Sequence, residues 1–192
     1  MQHRLFIKII LVSLFLNLLG SSLVTHYNLP LFLDATGTML AAILIGPWIG
    51  GLLGLMTNLL TGLFHSSLSI PFGLVNLGIG IITGYLMILI KDYRRPLAPL
   101  LVGTVIAIAT PLMAAPIATY MFGGITVHGV DKLVVALMDS GQSILASTFW
   151  GRIPFSFLDK ILSAYTVFLI IKVWPDIAAK RFRGADHVVS HA

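Results

Sequence analysis

The sequence predicts an all-α integral membrane protein of about six transmembrane helices, a single domain over residues 1–192 with both termini on the cytoplasmic side. Three observations carry this reading. Of 192 residues, 57% are hydrophobic and only 10% charged, whereas a soluble domain carries roughly a quarter charged residues. So small a polar fraction does not coat a water-facing globule. The mean hydropathy is +0.98, and the apolar runs are long enough to cross hydrocarbon about 30 Å thick. The basic residues, finally, fall in short clusters between apolar runs, as membrane topology signals do. The net charge of +5 therefore does not point to nucleic acid. All seven acidic residues are aspartates, and the absence of cysteine excludes disulfides, iron–sulfur clusters and thiolate zinc sites.

The first apolar run, Leu5 to Val24, follows Arg4 and Lys8. A basic start and an apolar stretch also describe a signal peptide, and Gly20, Ser21 and Ser22 offer small residues for cleavage. The run is nonetheless as long as a full span and carries Asn17, which favours a retained helix. A proline-broken loop, Thr25 to Gly37, follows. The next stretch, Gly37 to Phe64, is too long for one span and short for two. Gly46-Pro47 breaks it, giving a short second helix to about Ile45 and a third from Trp48 to Phe64. The fourth helix is expected over about Ile70 to Ile90, closed by KDYRRP. The fifth runs from about Leu97 to Tyr120 with Pro111 and Pro116 inside. An amphipathic segment covers about Asp131 to Trp150. The sixth span begins near Ile153, ends around Trp174 and leads into a basic tail over about 175–192.

With the N-terminus inside, Arg4, Lys8, Lys91, Arg94, Arg95, Lys172, Lys180, Arg181 and Arg183 lie at the cytoplasmic face. Only Lys132, Arg152 and Lys160 remain on or toward the outside. Six helices with both ends inside satisfy that asymmetry; an odd number does not.

Small residues recur four apart, at Gly50, Gly54, Asn58 and Gly62 and at Asn76, Gly80 and Gly84, which is a helix-packing pattern. The asparagines carry more information, because an amide in hydrocarbon needs partners or water. Asn58, Asn76 and Asp159 each stand six residues from the expected outer end of their helices, about 9 Å deep. Three helices thus place a polar group at one depth, as a pocket open to the outside requires; unrelated interhelical hydrogen bonds give the same pattern. Asp159 either neutralises Arg152 or binds a cationic part of a ligand. Its neighbour Lys160 diverges by about 100° around the helix, so the two are not expected to pair face to face. Asp139, Gln142 and Trp150 give the segment before the last span a polar face with an aromatic edge, either a lid or an interfacial anchor.

His26, His65 and His128 fall on the expected outer side, near Asp34, but no pair has a local ligand spacing, so neither a metal nor another cofactor is predicted. There is no Walker loop, zinc-protease motif or nucleophile elbow, and no enzymatic activity is expected.

The stretch LDATGTMLAAILIGPWIGGLLGLMTNLLTG, Leu33 to Gly62, resembles the substrate-binding membrane subunit (S component) of energy-coupling factor (ECF) transporters. The later PFGLVNLGIGIITGYL and GRIPFSFLDK add to the likeness, which extends over about Leu33 to Lys160. The resemblance implies a six-helix, multi-pass protein of a prokaryotic plasma membrane that captures a vitamin or related micronutrient at the outer face. It implies a capping role for Thr25 to Gly37. It also implies an ECF-type ABC importer, in which a membrane-embedded T subunit and two ATP-hydrolysing subunits drive uptake while the S component topples in the bilayer. Many members dock the T subunit through an alanine-spaced motif on the first helix. Here the matching positions are Ser13, Asn17 and Ser21, small and four apart but not alanine. Related sequences also serve as sensory modules.

The residues expected to bind substrate are Asp34, Asn58, His65, Asn76, Tyr120, Asp139, Gln142, Trp150, Arg152 and Asp159. Amides, carboxylate and aromatic rings suit a heteroaromatic or amine-bearing solute. A self-contained transporter or a solitary sensor is the alternative, but a transporter needs a path through both faces and the polar groups gather on one.

Overall fold

The computed structural model describes residues 3–90, 92–93, 95–126 and 129–174. Seven α-helices account for most of them, with no strand among the described residues: α1 His3–Tyr27, α2 Thr36–Leu44, α3 Pro47–Phe64, α4 Gly73–Ile90, α5 Leu97–Phe122, α6 Asp131–Asp139 and α7 Ile144–Val173. A 3₁₀ turn, Ser67–Ser69, joins α3 to α4. Five helices, α1, α3, α4, α5 and α7, are long and apolar enough to cross a membrane. The coarse expectation, an all-helical multi-pass protein, holds.

The helix counted as the second span is different in kind. α2 has nine residues, about 13.5 Å, less than half a bilayer core. All nine are buried, and α2 packs against α1, α3, α4 and α7. It lies within the core: Met39, Leu40, Ile43 and Leu44 share one hydrophobic cluster with Ile9, Val75, Ile79, Val102, Ile106 and Val167. Gly46 takes φ 144°, a conformation open essentially to glycine. Pro47 then opens α3 at the position where its missing N–H costs nothing.

The chain reaches α2 by doubling back along α1. Leu29 N–H bonds Val24 O (3.1 Å). A Cβ on Gly20 would stand 2.0 Å from Leu33 O, and one on Gly37 would stand 1.7 Å from Ser13 O. Residues 28–35 therefore run non-helically down the side of α1 into the bundle. In hydrocarbon such backbone is tolerated only where protein or a cavity satisfies it. Asn28 and Leu33 both have positive φ (47° and 48°), unusual for residues with side chains.

The glycine pattern on α3 and α4 is a packing seam. Gly80 meets the backbone of Gly50 and Gly51, Gly84 meets Pro47, and Gly54 meets Asn76 O. On α5, Pro111 and Pro116 sit inside a continuous helix. Pro111 cannot donate to Ala107 O; the Ser156 hydroxyl of α7 does so instead, at 2.9 Å. Tyr93, in the α4–α5 connection, is fully buried and donates to Ala164 O (2.9 Å). Burial pushes its phenol well above the ordinary tyrosine range, with the nearby Tyr165 adding to the effect.

α7 begins at Ile144, nine residues before the expected start at Ile153, because Ser143 caps it by accepting from Ala146 N–H and Pro154 is accommodated within the helix. Its first residues complete the expected amphipathic segment, of which only Asp131–Asp139 forms the separate helix α6. Lys91, Arg94, Lys180, Arg181 and Arg183, which weigh in the predicted orientation, lie outside the described residues.

Candidate functional site

A cavity of about 70 Å³ opens inside the bundle, between α1, the descending segment, α3, α4, α5 and α7. That is room for roughly five waters. Its wall mixes apolar side chains (Phe32, Phe72, Val75, Ile79, Pro111) with polar ones that are rare in a membrane core: Asp34, Asn58, Asn76, Arg152 and Lys160. Phe72 stacks on Phe122 with ring centroids 5.9 Å apart, which joins the start of α4 to the end of α5.

The amides form a directed chain. Asn76 Nδ2 donates to Asn58 Oδ1 (2.9 Å) and to Asp34 O (2.9 Å), while Asn58 Nδ2 donates to Ser69 O (3.1 Å). Turning the Asn76 amide over would set its oxygen against two acceptors, so the partners fix its orientation. Asn76 Oδ1 is left buried with no protein partner. A buried acceptor without a donor costs about 1–3 kcal/mol.

Two charge clusters flank the amides. In the first, Lys160 Nζ donates to Asp159 Oδ2 and stands 3.7 Å from Asp34 Oδ1. Asp159 Oδ1 accepts from Leu33 N–H (2.8 Å) and Phe32 N–H (3.4 Å), so the carboxylate holds the non-helical segment in place. Asp159 and Lys160 are 0% and 1% exposed. The expectation that these neighbours do not pair is corrected. The lysine stem leans toward the N-terminal end of α7, as helical side chains do, and both groups, out of water, need a counter-charge. Lys160 also lies 5.7 Å from the centre of the Phe32 ring.

In the second cluster Arg152 pairs with Asp131 (3.2 Å) and donates to Thr126 Oγ1, Gly124 O and Thr148 O. Asp131 in turn accepts from Thr126 N–H (2.7 Å). Of the two roles left open for Asp159, neutralising Arg152 is not the one seen; that counter-ion comes from Asp131 in the first turn of α6.

Of the residues expected to bind substrate, Asp34, Asn58, Asn76 and Arg152 border one cavity. Asp159 lies behind its wall. It stands fifteen residues into α7, roughly 22 Å along the helix from its N-terminal end, against the six residues counted from Ile153. His65 is exposed beside His26 and Tyr27 in a separate surface depression. His26 packs edge-on against Tyr27, His128 lies outside the described residues, and among those described no three metal-ligating side chains converge. Tyr120 and Trp150 are 79% and 58% exposed, and Asp139 and Gln142 are exposed around the α6–α7 turn. None of these four borders the cavity.

The stripe expected to dock a partner is also displaced. Ser13 and Asn17 are fully buried against α2, and Ser21 borders the cavity. Asn17 Nδ2 donates to Thr38 and Thr57 hydroxyls (2.9 and 3.0 Å), and its Oδ1 accepts from Gly37 and Thr38 N–H (2.6 and 3.3 Å). No partner reaches this face without displacing α2. Lys160 and Asp131 were not singled out as site residues from the sequence. The rule that an ionisable residue within a span is functional by default applies to Lys160 as much as to its neighbour.

Comparison with protein-family models, curated proteins and solved structures finds no match to this chain.

Proposed function

We propose that the chain is a membrane-embedded binding subunit that captures a small polar solute in the cavity beneath residues 28–35, in the manner of an ECF S component. The observation that carries this is a cavity inside an otherwise apolar bundle that five charged or amide side chains, Asp34, Asn58, Asn76, Arg152 and Lys160, border together. Charged and amide groups are expensive within a membrane core and mark solute or ion sites by default. Non-helical backbone bordering the cavity supports the same reading, since membrane proteins place irregular backbone where it lines a site.

In this reading the chain makes six passes with both termini inside. The eight residues 28–35, at up to about 3.3 Å each, together with α2 at about 13.5 Å, suffice for the second pass. Substrate enters from the outer face, residues 28–35 cap it, and Asp159 is the latch that sets the cap through its bonds to Phe32 and Leu33 N–H. Uptake is completed by a T subunit and two ATP-hydrolysing subunits in a plasma membrane. Because Ser13 and Asn17 are covered, docking uses a face other than that stripe.

The test is thermal unfolding of the purified full chain in mild detergent against water-soluble vitamins and related micronutrients. At least one compound should raise Tm, and Asn76→Leu should remove the shift. A complete screen without response would sink the binding reading. Copurification of a tagged chain from native membranes tests the partners separately: a T subunit and ATPases support the importer, and a chain recovered alone in quantity contradicts it.

A further inference from the structure

Two hollows in the molecule share a single residue. The cavity in the bundle and the surface depression that holds His26, Tyr27 and His65 are both bordered by Thr25. Of the described residues that line the cavity, Thr25 is the exposed one; the others are buried or half-buried. The gap between α1 and α3 leads there. The two helices are tied by the bond from Asn17 Nδ2 to Thr57 Oγ1 (3.0 Å). One to two turns further along, Ser21, Val24 and Thr25 on α1 and Thr61 on α3 border the cavity. Beyond them, His26 and His65 border the depression. The hollow space thus follows the gap from that tie to the helix ends. The one proton of the Thr25 hydroxyl goes to Ser21 O, a turn back on its own helix (2.9 Å), so swinging this side chain aside costs no donated bond between helices. Residues 28–35 are held differently. Phe32 and Leu33 N–H donate to the buried Asp159 carboxylate, and Asp34 O accepts from Asn76 Nδ2 (2.9 Å). Lifting that segment strands buried polar groups, which is the costlier movement.

We infer that the solute enters and leaves sideways, through the gap between the outer ends of α1 and α3, with Thr25 as the gating residue and residues 28–35 as a fixed roof. The inference rests on the proposed binding function and adds its route. Leu23 and Tyr27 stand beside the polar Ser22, His26 and His65 in the depression. The mouth therefore has an apolar and a polar side, as a position at the lipid–water boundary requires. Passage is limited by the side chain at position 25, so a bulkier residue there obstructs it while the roof stays in place.

The experiment needs no knowledge of the solute. Ala114, on α5, borders the cavity and is 6% exposed. In a chain without cysteine, Ala114→Cys reports how fast a small reagent reaches the interior. The full chain in mild detergent is treated with methyl methanethiosulfonate, and the adduct is followed by intact-protein mass spectrometry. Adding Thr25→Trp should slow modification about tenfold or more, as a raised barrier to passage does, and His65→Trp, across the mouth, should slow it as well. Leu74→Trp, on the exposed start of α4 and outside both hollows, should leave the rate within about twofold. An unchanged rate in Thr25→Trp and His65→Trp, or equal slowing by Leu74→Trp, overturns the route and leaves the binding function to the vitamin screen. An Ala114→Cys chain that never reacts overturns it too, since no entrance then admits even this reagent. A vitamin screen without thermal response overturns the binding function whatever the rates. Should Thr25→Trp fail to fold, His65→Trp decides.

Discussion

At the scale of single residues, Asn17 ties α1 to α2 and α3. It satisfies the backbone N–H of Gly37 and Thr38 where α2 starts and ties the hydroxyls of Thr38 and Thr57 to α1. Asn17→Leu strands two buried donors, each costing about 1–3 kcal/mol. The variant should lose several degrees of Tm in detergent; unchanged stability with selective loss of a partner would restore Asn17 to a docking surface. Tyr93 offers a pH-dependent check. Its folded pKa is raised by burial, so its stabilising share is complete below the ordinary tyrosine pKa of about 10. That share declines as pH rises above it, because the unfolded chain ionises first. Tyr93→Phe should cost about 1 kcal/mol at pH 7 and show a shallower alkaline loss than the parent, by unfolding at pH 7 and pH 11. Of the site itself, Asn58 and Asn76 were legible because an amide in a greasy span stands out. Their contact, and the orphaned oxygen it leaves, depend on how α3 and α4 pack. Tyr120 and Trp150 misled for a physical reason: an aromatic at a helix end serves the lipid boundary as well as it would a pocket.

At the scale of elements, punctuation was legible and depth was not. Gly46-Pro47 announced the α2–α3 break. The last span, by contrast, was expected to start near Ile153, and the Ser143 cap places its start at Ile144. The earlier start leaves Asp159 fifteen rather than six residues into its helix, and its neighbour Lys160 is the one that borders the cavity. The pairing of Ser156 with Ala107 O opposite Pro111 gives a local test. Ser156→Ala should cost about 1–2 kcal/mol by leaving that carbonyl unpaired. In a Pro111→Ala background, where residue 111 regains its N–H, the same change should cost less than half as much. Additive losses would show that the hydroxyl does not replace the missing helix bond. Gly20→Ala tests the descending segment: with Leu33 O only 2.0 Å from the new Cβ, backbone must move, and folded monomer should fall sharply in size-exclusion yield. Normal yield would mean that residues 28–35 do not run along α1.

At the scale of the whole molecule, composition was enough for the membrane and the all-helical class, because no arrangement of so few polar residues covers a soluble surface. The count of spans was harder. α2 reads from its apolarity as a short span, yet its burial on every side makes it an internal post, and only with the extended residues before it does it have the reach of a pass. The lipid-facing surface is built by the outer faces of the long helices, including Leu11, Phe15 and Leu19 on α1, Leu101 and Ile108 on α5, and Leu158 and Leu162 on α7. Asp34, Asn58, Asn76, Arg152 and Lys160 are gathered inward around one cavity. In the proposed function this cavity is a solute site reached from outside. Since the chain has no cysteine, single-cysteine variants report on it cleanly. The decisive measurement is labelling of Ser69→Cys, on the cavity wall, and Thr83→Cys, fully buried on α4, by a membrane-impermeant thiol reagent in sealed right-side-out vesicles. The account predicts that Ser69→Cys reacts from the outside and is protected by the compound that raises Tm, while Thr83→Cys stays inert. Labelling of Ser69→Cys from the inside alone, or with no protection by that compound, would contradict it.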